Sequence, residues 1–221
     1  MERDERMLAS LPGDGVIVWR LYQWNPWAIS IGRHQDAARD LDLDRCRADR
    51  VAVVRRPTGG RAVYHAEELT YAVALPDSAS LPAGIAGAYG VAAGILLEAL
   101  RALGVDARAS AGSMPQAGHQ GACFASSTRH EIAVGGRKIV GSALRRARGG
   151  ALQHGSILLG AAHARLGRYL RTPVGEEALL AKATDLSAVL GRFVAAEEVA
   201  LAVRGTLAAL WGPEDRDRGA R

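Results

Sequence analysis

An arginine- and glycine-rich stretch, RRPTGGRAVYH at residues 55–65, lies between two runs of β-branched and apolar residues. Adjacent glycines after a strand let the backbone turn sharply and leave amide groups free to face an anion or a carbonyl. Arg55 and Arg56 would add charge-assisted donors, so the stretch suits a phosphate or a polar acyl head. A tight hairpin turn with solvent-facing arginines explains the glycine pair equally well. A P-loop is excluded, because no Gly-Lys-Ser/Thr follows the glycines.

A second candidate for chemistry is the pair Cys123 and Lys138. Cys123 lies in a segment rich in Gly, Ala and Ser, which is an unusual place for a packing cysteine, and Lys138 follows a Gly-Gly-Arg turn. If the loop and the strand pair, the ammonium would stabilise the thiolate and lower the pKa of the thiol. A cysteine activated in this way is a nucleophile at neutral pH.

Histidines form the third group of candidates. His154 lies in the sequence Gln-His-Gly-Ser at a predicted strand end, where it could be a general base or a structural histidine bonded to the backbone. His65 is open to the same two interpretations. His119 and His130 flank the cysteine segment and could also serve as bases, although loop histidines are usually solvated. Cys46 falls on an apolar face of a short charged segment, where we expect it to pack.

The pattern of apolar residues predicts the strands that position these groups. Runs of β-branched and aromatic residues predict strands at residues 15–24, 28–32, 51–56, 69–75 and 152–159, with 51–56 buried. Residues 130–134 and 138–144 are predicted to form a hairpin around a turn centred on Arg137.

The same pattern predicts two long helices. Apolar residues recur with helical spacing over residues 83–103, where Gly104 is placed to end the helix, and over residues 199–210. A shorter helix within residues 36–50 would carry Leu41, Leu43 and Cys46 on one face, whereas residues 106–122 have no period and predict a loop.

We expect one α+β domain over residues 1–211, with a central mixed, largely antiparallel sheet flanked by helices. A small carboxy-terminal helical lobe would begin at about residue 165, and residues 212–221 would form a flexible tail. The composition is that of a globular protein, with 48% hydrophobic and 23% charged residues among 221.

Charge and segment composition restrict the class of protein. The net charge of +5 and the pI near 9.7 favour acidic partners, and nucleic acid, an acidic carrier protein or a phosphate-bearing ligand all qualify. The amino terminus is charged from its second residue and no apolar run reaches bilayer length, which predicts a cytoplasmic protein without membrane contact. Its two cysteines lack metal-ligand spacing, so we expect free thiols and no metal site.

Taken in order, five motifs resemble the biotin/lipoate protein ligase superfamily. They are RRPTGGRAVYH, ELTYAV at 68–73, CF at 123–124, GRKIVGSA at 136–143 and LQHGSILL at 152–159. Within that superfamily, the chain is most similar to the cysteine-dependent octanoyltransferases that act on the glycine cleavage H protein. Lipoate ligases usually have a third glycine where this chain has Arg61, and an Asn-Asp pair in the region where it has Cys123 and Phe124.

The resemblance implies a cysteine acyltransferase of protein lipoylation. Octanoyl would pass from acyl carrier protein to Cys123 and then to a lysine of the H protein or another lipoyl domain, without a nucleotide cofactor, a metal or nucleic acid. Lys138 would lower the pKa of Cys123, and a monomer is expected. The residues implied to bind the acyl group are Arg56, Gly59, Gly60, His65, Gly141, Ser142, Ala143, His154 and Gly155.

Three alternatives stay open. An octanoyl amidotransferase between lipoyl domains would use the same cysteine chemistry. A lipoate or biotin ligase would need ATP and would acylate its target without Cys123. A non-enzymatic binding module is suggested only by the basic charge and gives no reason for a Cys–Lys pair.

Overall fold

The fold is taken from a computed structural model that describes residues 1–9, 11, 16–77, 84–109, 131–147 and 149–212, with the backbone alone at 84–86. Within these residues the strands are β1 (Val18–Tyr22), β2 (Ala28–Ile31), β3 (Ala52–Arg55), β4 (Val63–His65), β5 (Glu68–Pro76), β6 (Arg108–Ala109), β7 (Ile132–Val134), β8 (Arg137–Ala147) and β9 (Gly150–Leu158). The helices are α1 (Glu2–Ala9), α2 (Ala37–Asp40), α3 (Leu43–Ala48), α4 (Gly84–Ala102), α5 (Glu176–Leu180), α6 (Leu186–Leu190), α7 (Ala196–Trp211) and a 3-10 helix (Ala161–Tyr169).

The strands form two sheets. The large sheet has the order β1-β5-β9-β8-β7-β6 with antiparallel neighbours throughout. The small sheet has the order β3-β2-β4, in which β2 is parallel to β3 and antiparallel to β4. The predicted α+β class with a mixed, largely antiparallel sheet is therefore confirmed, with the strands divided between two sheets.

The two sheets are joined by the two-residue link between β4 and β5. Its second residue, Glu67, has a positive φ of 50°, and its carbonyl accepts hydrogen bonds from the Leu159 and Gly160 amides. The Glu67 carboxylate accepts a third bond from the Ala162 amide. This sharp reversal places the end of β4 directly beside the start of β5, so residues of both sheets face one another there.

Each sheet has its own apolar core. Helices α4 and α7 pack on each other and on the large sheet, where Leu96, Leu100, Val199 and Val203 are buried together. Strand β5 lies between β1 and β9 and is buried at every position, which explains why its residues 71–76 are apolar without alternation.

The second core lies between the small sheet, α3 and the 3-10 helix, and contains Ile29, Leu41 and Tyr169. Cys46 is buried there with 2% of its surface exposed, so the prediction that it packs is confirmed. The predicted short helix within residues 36–50 is present as α3, which carries Leu43 and Cys46, but Leu41 does not lie on it. Leu41 is in extended conformation between α2 and α3, because it bridges to Leu170 and the Asp42 side chain then caps α3.

Two strand predictions need correction. Residues 51–56 were expected to be buried, but β3 is the edge of the small sheet, and Ala52 and Arg55 are exposed. Strand β4 lies in the arginine- and glycine-rich stretch, where no strand is predicted, because three residues are too few to show a period.

The hairpin between β7 and β8 turns at Gly135 and Gly136, not at Arg137. Both glycines have positive φ, 55° and 78°, which suits a two-residue hairpin turn, and Arg137 pairs with Val134. Gly104 ends α4 as predicted, with a φ of 83°. In the predicted loop 106–122, residues 108–109 form a short edge strand and residues 110–122 lie outside the described chain, as do 213–221 of the predicted tail.

Candidate functional site

A cavity opens where the small sheet meets the large one, with about 390 Å³ of free space including its mouth. Both sheets and the first residue of the chain contribute to its wall. The lining residues are Met1, Ser30, Arg56, Val63, His65, Thr70, Gly141, Ser142, Ala143, His154, Gly155 and Ser156. Among the predicted acyl-binding residues, this set contains Arg56, His65, Gly141, Ser142, Ala143, His154 and Gly155.

Strand register explains which side chains of the large sheet reach the cavity. Residues paired across β1, β5, β9 and β8 lie in rows, and alternate residues of a strand share a face. One row is Tyr22, Thr70, Ser156 and Gly141, and the next is Arg20, Ala72, His154 and Ala143. The side chains of alternate β9 residues, His154 and Ser156, therefore line the cavity.

Gly155 and Ser142 occupy the intervening positions. A Cβ on Gly155 would lie 2.1 Å from the Gly141 carbonyl oxygen and 2.7 Å from the Tyr71 ring, so only glycine fits there. The Ser142 hydroxyl lies 2.6 Å from the Tyr71 hydroxyl, whose burial raises the pKa of Tyr71 to about 12. Small residues on β8 and β9 thus leave room for the cavity above a packed tyrosine.

The Arg56 guanidinium holds its own loop together. Arg56 is 4% exposed, and it donates to the carbonyl oxygens of Ser30 at 3.0 Å, Gly59 at 2.9 Å and Arg61 at 2.6 Å. Gly60 has a φ of 90°, and a Cβ there would lie 2.8 Å from Arg56 Nη2. Gly59 and Gly60 therefore serve the loop rather than the cavity wall, and the solvent-facing interpretation is wrong for Arg56.

The exposed Arg55 fixes the neighbouring loop from the other side. Its Nη1 donates to the carbonyl oxygens of Gly32, Arg33 and Gln35 at 2.7 to 3.1 Å. The two loops touch at Gly32, where a Cβ would lie 2.0 Å from the Gly60 carbonyl oxygen. Sequence reasoning missed Gly32, whose only signal is its position as the last residue of the predicted strand 28–32.

His154 connects the arginine loop to the large sheet. Its Nε2 lies 2.5 Å from the Thr58 hydroxyl, and its Nδ1 lies 3.7 Å from the Asp4 carboxylate, which is longer than a hydrogen bond. Burial lowers the pKa of His154, and the positive charge of Arg56 acts in the same direction while Asp4 opposes it. The imidazole is therefore neutral at pH 7 and is bonded to a side chain rather than to the backbone.

Asp4 brings the amino-terminal helix to the site. It is fully buried and accepts hydrogen bonds from Arg20 Nη1 at 2.5 Å and from the Tyr22 hydroxyl at 2.9 Å. Burial alone would raise the pKa of Asp4, but the His154, Tyr22 and Arg20 groups around it outweigh burial and lower the pKa below its ordinary value. Sequence reasoning missed Asp4, because one acid in a charged segment carries no signal.

His65 is the centre of a buried hydrogen-bond chain. Its Nε2 lies 2.7 Å from the Ser30 hydroxyl and its Nδ1 lies 3.2 Å from Glu68 Oε1. The Thr70 hydroxyl donates to the same Glu68 oxygen at 2.5 Å and accepts from the Trp24 indole at 2.9 Å. The Trp24 ring also stacks on His65, with the ring centroids 4.4 Å apart. Of this chain the sequence had indicated His65 alone.

Lys138 is not among the residues that line the cavity. It is buried on β8, and its ammonium donates to Glu131 Oε1 at 2.7 Å. Its backbone bonds to the segment after α5, through the Lys182 carbonyl and the Thr184 amide. Cys123, His119 and His130 lie outside the described residues, so the Cys–Lys pair stays a prediction.

The described part of the chain contains no cluster of three or more His, Cys, Asp or Glu side chains that could hold a metal ion. None of its helices is both long and apolar enough to cross a membrane.

Residues 1–208 match the family described as the lipoyl protein ligase A/B catalytic domain. The chain belongs to this family. The resemblance found in the motifs is therefore confirmed, and the cavity at the junction of the two sheets is the candidate acyl site of a lipoyl ligase A/B domain.

Relatives of this lipoyl ligase A/B chain include proteins named octanoyltransferase LipM. The protein from Symbiobacterium thermophilum is 42% identical over 184 residues, which cover 78% of this chain and 67% of the relative. That from Exiguobacterium sp. is 41% identical over 195 residues, covering 83% and 71%. In several further relatives of the same name the chain spans 53 to 60% of the relative's length.

A solved structure has the same lipoyl ligase A/B fold. The bipartite lipoate protein ligase with its E2 lipoyl domain from Thermoplasma acidophilum superposes with a TM-score of 0.74. The match covers 93% of this chain and 75% of that one at 22% identity, so it supports the fold.

Replacing Arg56 by lysine tests whether the hydrogen bonds of the guanidinium hold the loop in place. Arg56 uses Nε, Nη1 and Nη2 toward separate carbonyls, which one ammonium cannot do. We expect Arg56→Lys to lower the free energy of unfolding by about 2 kcal/mol. Arg55→Lys is the matched control, since Arg55 uses Nη1 alone, and it should change stability by less than about 0.5 kcal/mol. Urea unfolding monitored by tryptophan fluorescence measures the stability of both variants. Equal losses of stability in Arg56→Lys and Arg55→Lys would contradict the role given to Arg56.

The neutral state of His154 predicts a pH-dependent stability. Because its pKa is lowered in the folded protein, the unfolded chain binds the extra proton first as the pH falls below about 6.5. The stability that His154 contributes is thus present above that pH and is lost on acidification. We expect wild type to lose more stability than His154→Gln between about pH 7.5 and about pH 5, as measured by urea unfolding. A difference in stability between wild type and His154→Gln that stays constant with pH would show that His154 does not titrate in this way.

Proposed function

We propose that the protein transfers octanoyl from acyl carrier protein through a thioester on Cys123 to a lysine of a lipoyl domain. The observation that carries this proposal is the identity of 42% and 41% with two proteins named octanoyltransferase LipM. The acceptor class is supported by the family, whose structural relatives include a lipoate ligase with its E2 lipoyl domain. The glycine cleavage H protein is the specific acceptor proposed, and the cytoplasm is the proposed location.

Thioester chemistry favours a cysteine as the carrier. Exchange of one thiol for another in a thioester is nearly isoenergetic, so Cys123 can take the acyl group without ATP. The second step forms an amide, which is more stable than the thioester and pulls the transfer forward. Lys138 would assist by stabilising the Cys123 thiolate.

The cavity has the character of a site for a medium acyl chain. Val63, Gly141, Ala143 and Gly155 supply small or apolar parts of the wall, and Met1 adds a flexible apolar side chain. Each methylene removed from water contributes about 0.8 kcal/mol, so an eight-carbon chain gains substantially from such a wall. Arg56 and His65 are among the polar lining groups that could bind the carbonyl end of the acyl group.

The basic charge suits the proposed partners. Acyl carrier proteins and lipoyl domains are acidic, and a net charge of +5 with a pI near 9.7 would speed their encounter with this chain. This steering depends on ionic strength, as expected for exposed charges.

Intact-mass analysis after mixing the purified protein with octanoyl carrier protein, without ATP, tests the proposal. We expect a gain of one octanoyl group that hydroxylamine removes. Cys123→Ser should abolish it, whereas Cys46→Ser, the matched control at the buried packing cysteine, should retain it. Acylation of a lipoyl domain that requires ATP and free acid, and that survives Cys123→Ser, would instead support a ligase. Acceptance of octanoyl from a lipoyl domain rather than from carrier protein would support an amidotransferase.

The role of Lys138 is tested by the pH dependence of Cys123 alkylation with iodoacetamide in a Cys46→Ser background. Two variants are compared. Glu131→Gln keeps the Lys138 ammonium, and Glu131→Gln/Lys138→Met removes it. Because Glu131 is neutralised in both, neither variant leaves an unpaired buried carboxylate. We expect the midpoint of alkylation to lie at higher pH in the double variant. Lys182→Met, at an exposed lysine, should have no effect. Equal midpoints for the first two proteins would remove Lys138 from this role.

A further inference from the structure

The cavity meets solvent over the middle of β8. Most of its lining residues are buried, whereas Met1, Ser142, Ala143 and Gly155 are half-buried. Ser142 on β8 pairs with Gly155 on β9, and Ala143 is the next residue along β8. We call this part of the wall the cavity mouth. A molecule that is only partly inside the cavity would continue into solvent past these residues.

Two loops border the mouth and touch each other at a pair of glycines. A Cβ on Gly60 would lie 4.0 Å from the Ala143 Cβ, so the arginine- and glycine-rich loop passes directly beside the mouth. A Cβ on Gly32 would lie 2.0 Å from the Gly60 carbonyl oxygen, which brings the loop after β2 to the same point. Arg33 and Arg61 directly follow these two glycines. Two cationic residues therefore lie at the rim of the mouth.

The backbone of each of these arginines is fixed, whereas its side chain is not. The Arg33 amide donates to the Thr58 carbonyl at 2.8 Å, and the Arg33 carbonyl accepts from Arg55 Nη1 at 3.0 Å. The Arg61 carbonyl accepts from Arg56 Nη2 at 2.6 Å. Arg33 is exposed and Arg61 is half-buried, and neither guanidinium forms an ion pair or a hydrogen bond with the described residues. Both charges are therefore positioned without being neutralised.

A third arginine borders the mouth from the large sheet. Gly141, Ala143 and Arg145 alternate along β8 and so share one face, and the first two line the cavity. The acid beside Arg145 is Glu5 of α1, at 3.8 Å, which is longer than a hydrogen bond and leaves the guanidinium donors for another partner. The acid nearest in sequence to Arg33 is Asp36, whose carboxylate caps α2. The mouth is therefore bordered by an excess of positive charge.

We propose that Arg33, Arg61 and Arg145 form an anion site that binds the phosphate on the thioester arm of the acyl donor. This inference rests on the proposed octanoyl transfer and names the part of the donor that the protein recognises. Acyl carrier proteins and coenzyme A both present an acyl group on a phosphopantetheine arm, with the thioester at one end and the phosphate at the other. Guanidinium groups match the geometry of phosphate oxygens and stay charged at any pH that the protein meets.

The length of the arm fits the spacing along β8. From phosphorus to sulfur the arm has about as many backbone bonds as four to five amino-acid residues, so it spans about 15 Å when extended. Lys138, the proposed partner of the Cys123 thiolate, and Ala143 both lie on β8, and their separation corresponds to about 16 Å at the rise of a strand. An arm whose phosphate is held at the mouth can therefore place its sulfur near Lys138. Gly141 lies between these two positions and lines the cavity, so the acyl chain can enter there.

Two thioether probes test the site without any acyl transfer. S-octyl phosphopantetheine and S-octyl pantetheine differ only in the phosphate, and a thioether has no acyl group to give up. We expect wild type to bind the phosphorylated probe at least about tenfold more tightly in isothermal titration calorimetry. Arg61→Gln should reduce this ratio of affinities to about threefold or less. Arg33→Gln should also reduce it, and it serves as the second variant if Arg61→Gln does not fold.

Two control variants separate the charge at the mouth from charge in general. Arg61→Lys keeps the positive charge and should retain most of the preference for the phosphorylated probe. Arg204→Gln removes a charge from an exposed position on α7, which packs on the face of the large sheet opposite the cavity. Arg204 likewise makes no ion pair within the described part of the chain, so it matches Arg33 in exposure and charge. This variant should bind both probes as wild type does.

Two acyl donors then distinguish the arm from the protein that carries it. The rate constant for acylation at low donor concentration, kcat/KM, is measured by intact mass with octanoyl carrier protein and with octanoyl coenzyme A. Because both donors have the same arm, Arg61→Gln should lower kcat/KM by a similar factor of about ten with each. A loss with carrier protein alone would place Arg61 against the acidic surface of that protein and would overturn the phosphate site.

The binding and transfer measurements can fail separately. Equal affinity of wild type for the two probes would overturn the anion site, as would a preference that persists in Arg33→Gln, Arg61→Gln and Arg145→Gln. If the probes behave as expected but no octanoyl donor acylates the protein, the proposed transfer fails and the anion site remains. If the protein is acylated but does not discriminate between the probes, the anion site fails alone.

Discussion

The buried charge of Arg56 is the constraint on which the site depends. A guanidinium removed from water must find acceptors, and Arg56 finds them in the carbonyl oxygens of Ser30, Gly59 and Arg61. Those acceptors belong to the small sheet and to the loop itself, so satisfying one side chain fixes the position of both. The loop can come this close because Gly60 has a positive φ and Gly32 has no side chain. Gly60 of the motif is therefore a consequence of burying the arginine, since a Cβ there would lie 2.8 Å from Arg56 Nη2.

The same constraint extends to the large sheet through polar contacts rather than apolar packing. Thr58 reaches His154, and His154 lies next to Asp4, so the loop, β9 and the amino-terminal helix meet at one point. Because Arg56 is already a buried cation, a neutral imidazole is favoured next to it, which agrees with the lowered pKa of His154. Asp4 then supplies negative charge to Arg20 and closes the network.

Sequence reasoning succeeded where a local pattern determines the structure. The long helices, the longer strands of the large sheet and most lining residues follow from periodicity and from motifs, because hydrophobic spacing and glycine turns are local properties. It failed at β4 and β6, which are too short for a period, and at Leu41, which was predicted to lie on a short helix but is extended where it bridges to Leu170.

The missed site residues, Asp4, Ser30 and Glu68, share one property. They are ordinary polar residues in unremarkable segments, and their roles arise from partners 16 to 35 positions away or across two sheets. The strand register pairs His65 with Ala28 and so places Ser30 two positions further along β2. This position can be derived only once the pairing of the strands is known.

The space in the cavity comes from the size of the residues that line it, because both sheets contribute polar groups to its wall. The large sheet supplies Ser142, His154 and Ser156 as well as the small residues Gly141, Ala143 and Gly155. The polar groups are bonded within the protein: the Ser142 hydroxyl to Tyr71, and His154 to Thr58. A polar group whose hydrogen bonds are satisfied inside the protein loses little when water leaves, so an apolar chain can lie against it at small cost in free energy. The junction between the two sheets therefore supplies both the space and the hydrogen-bond network around it.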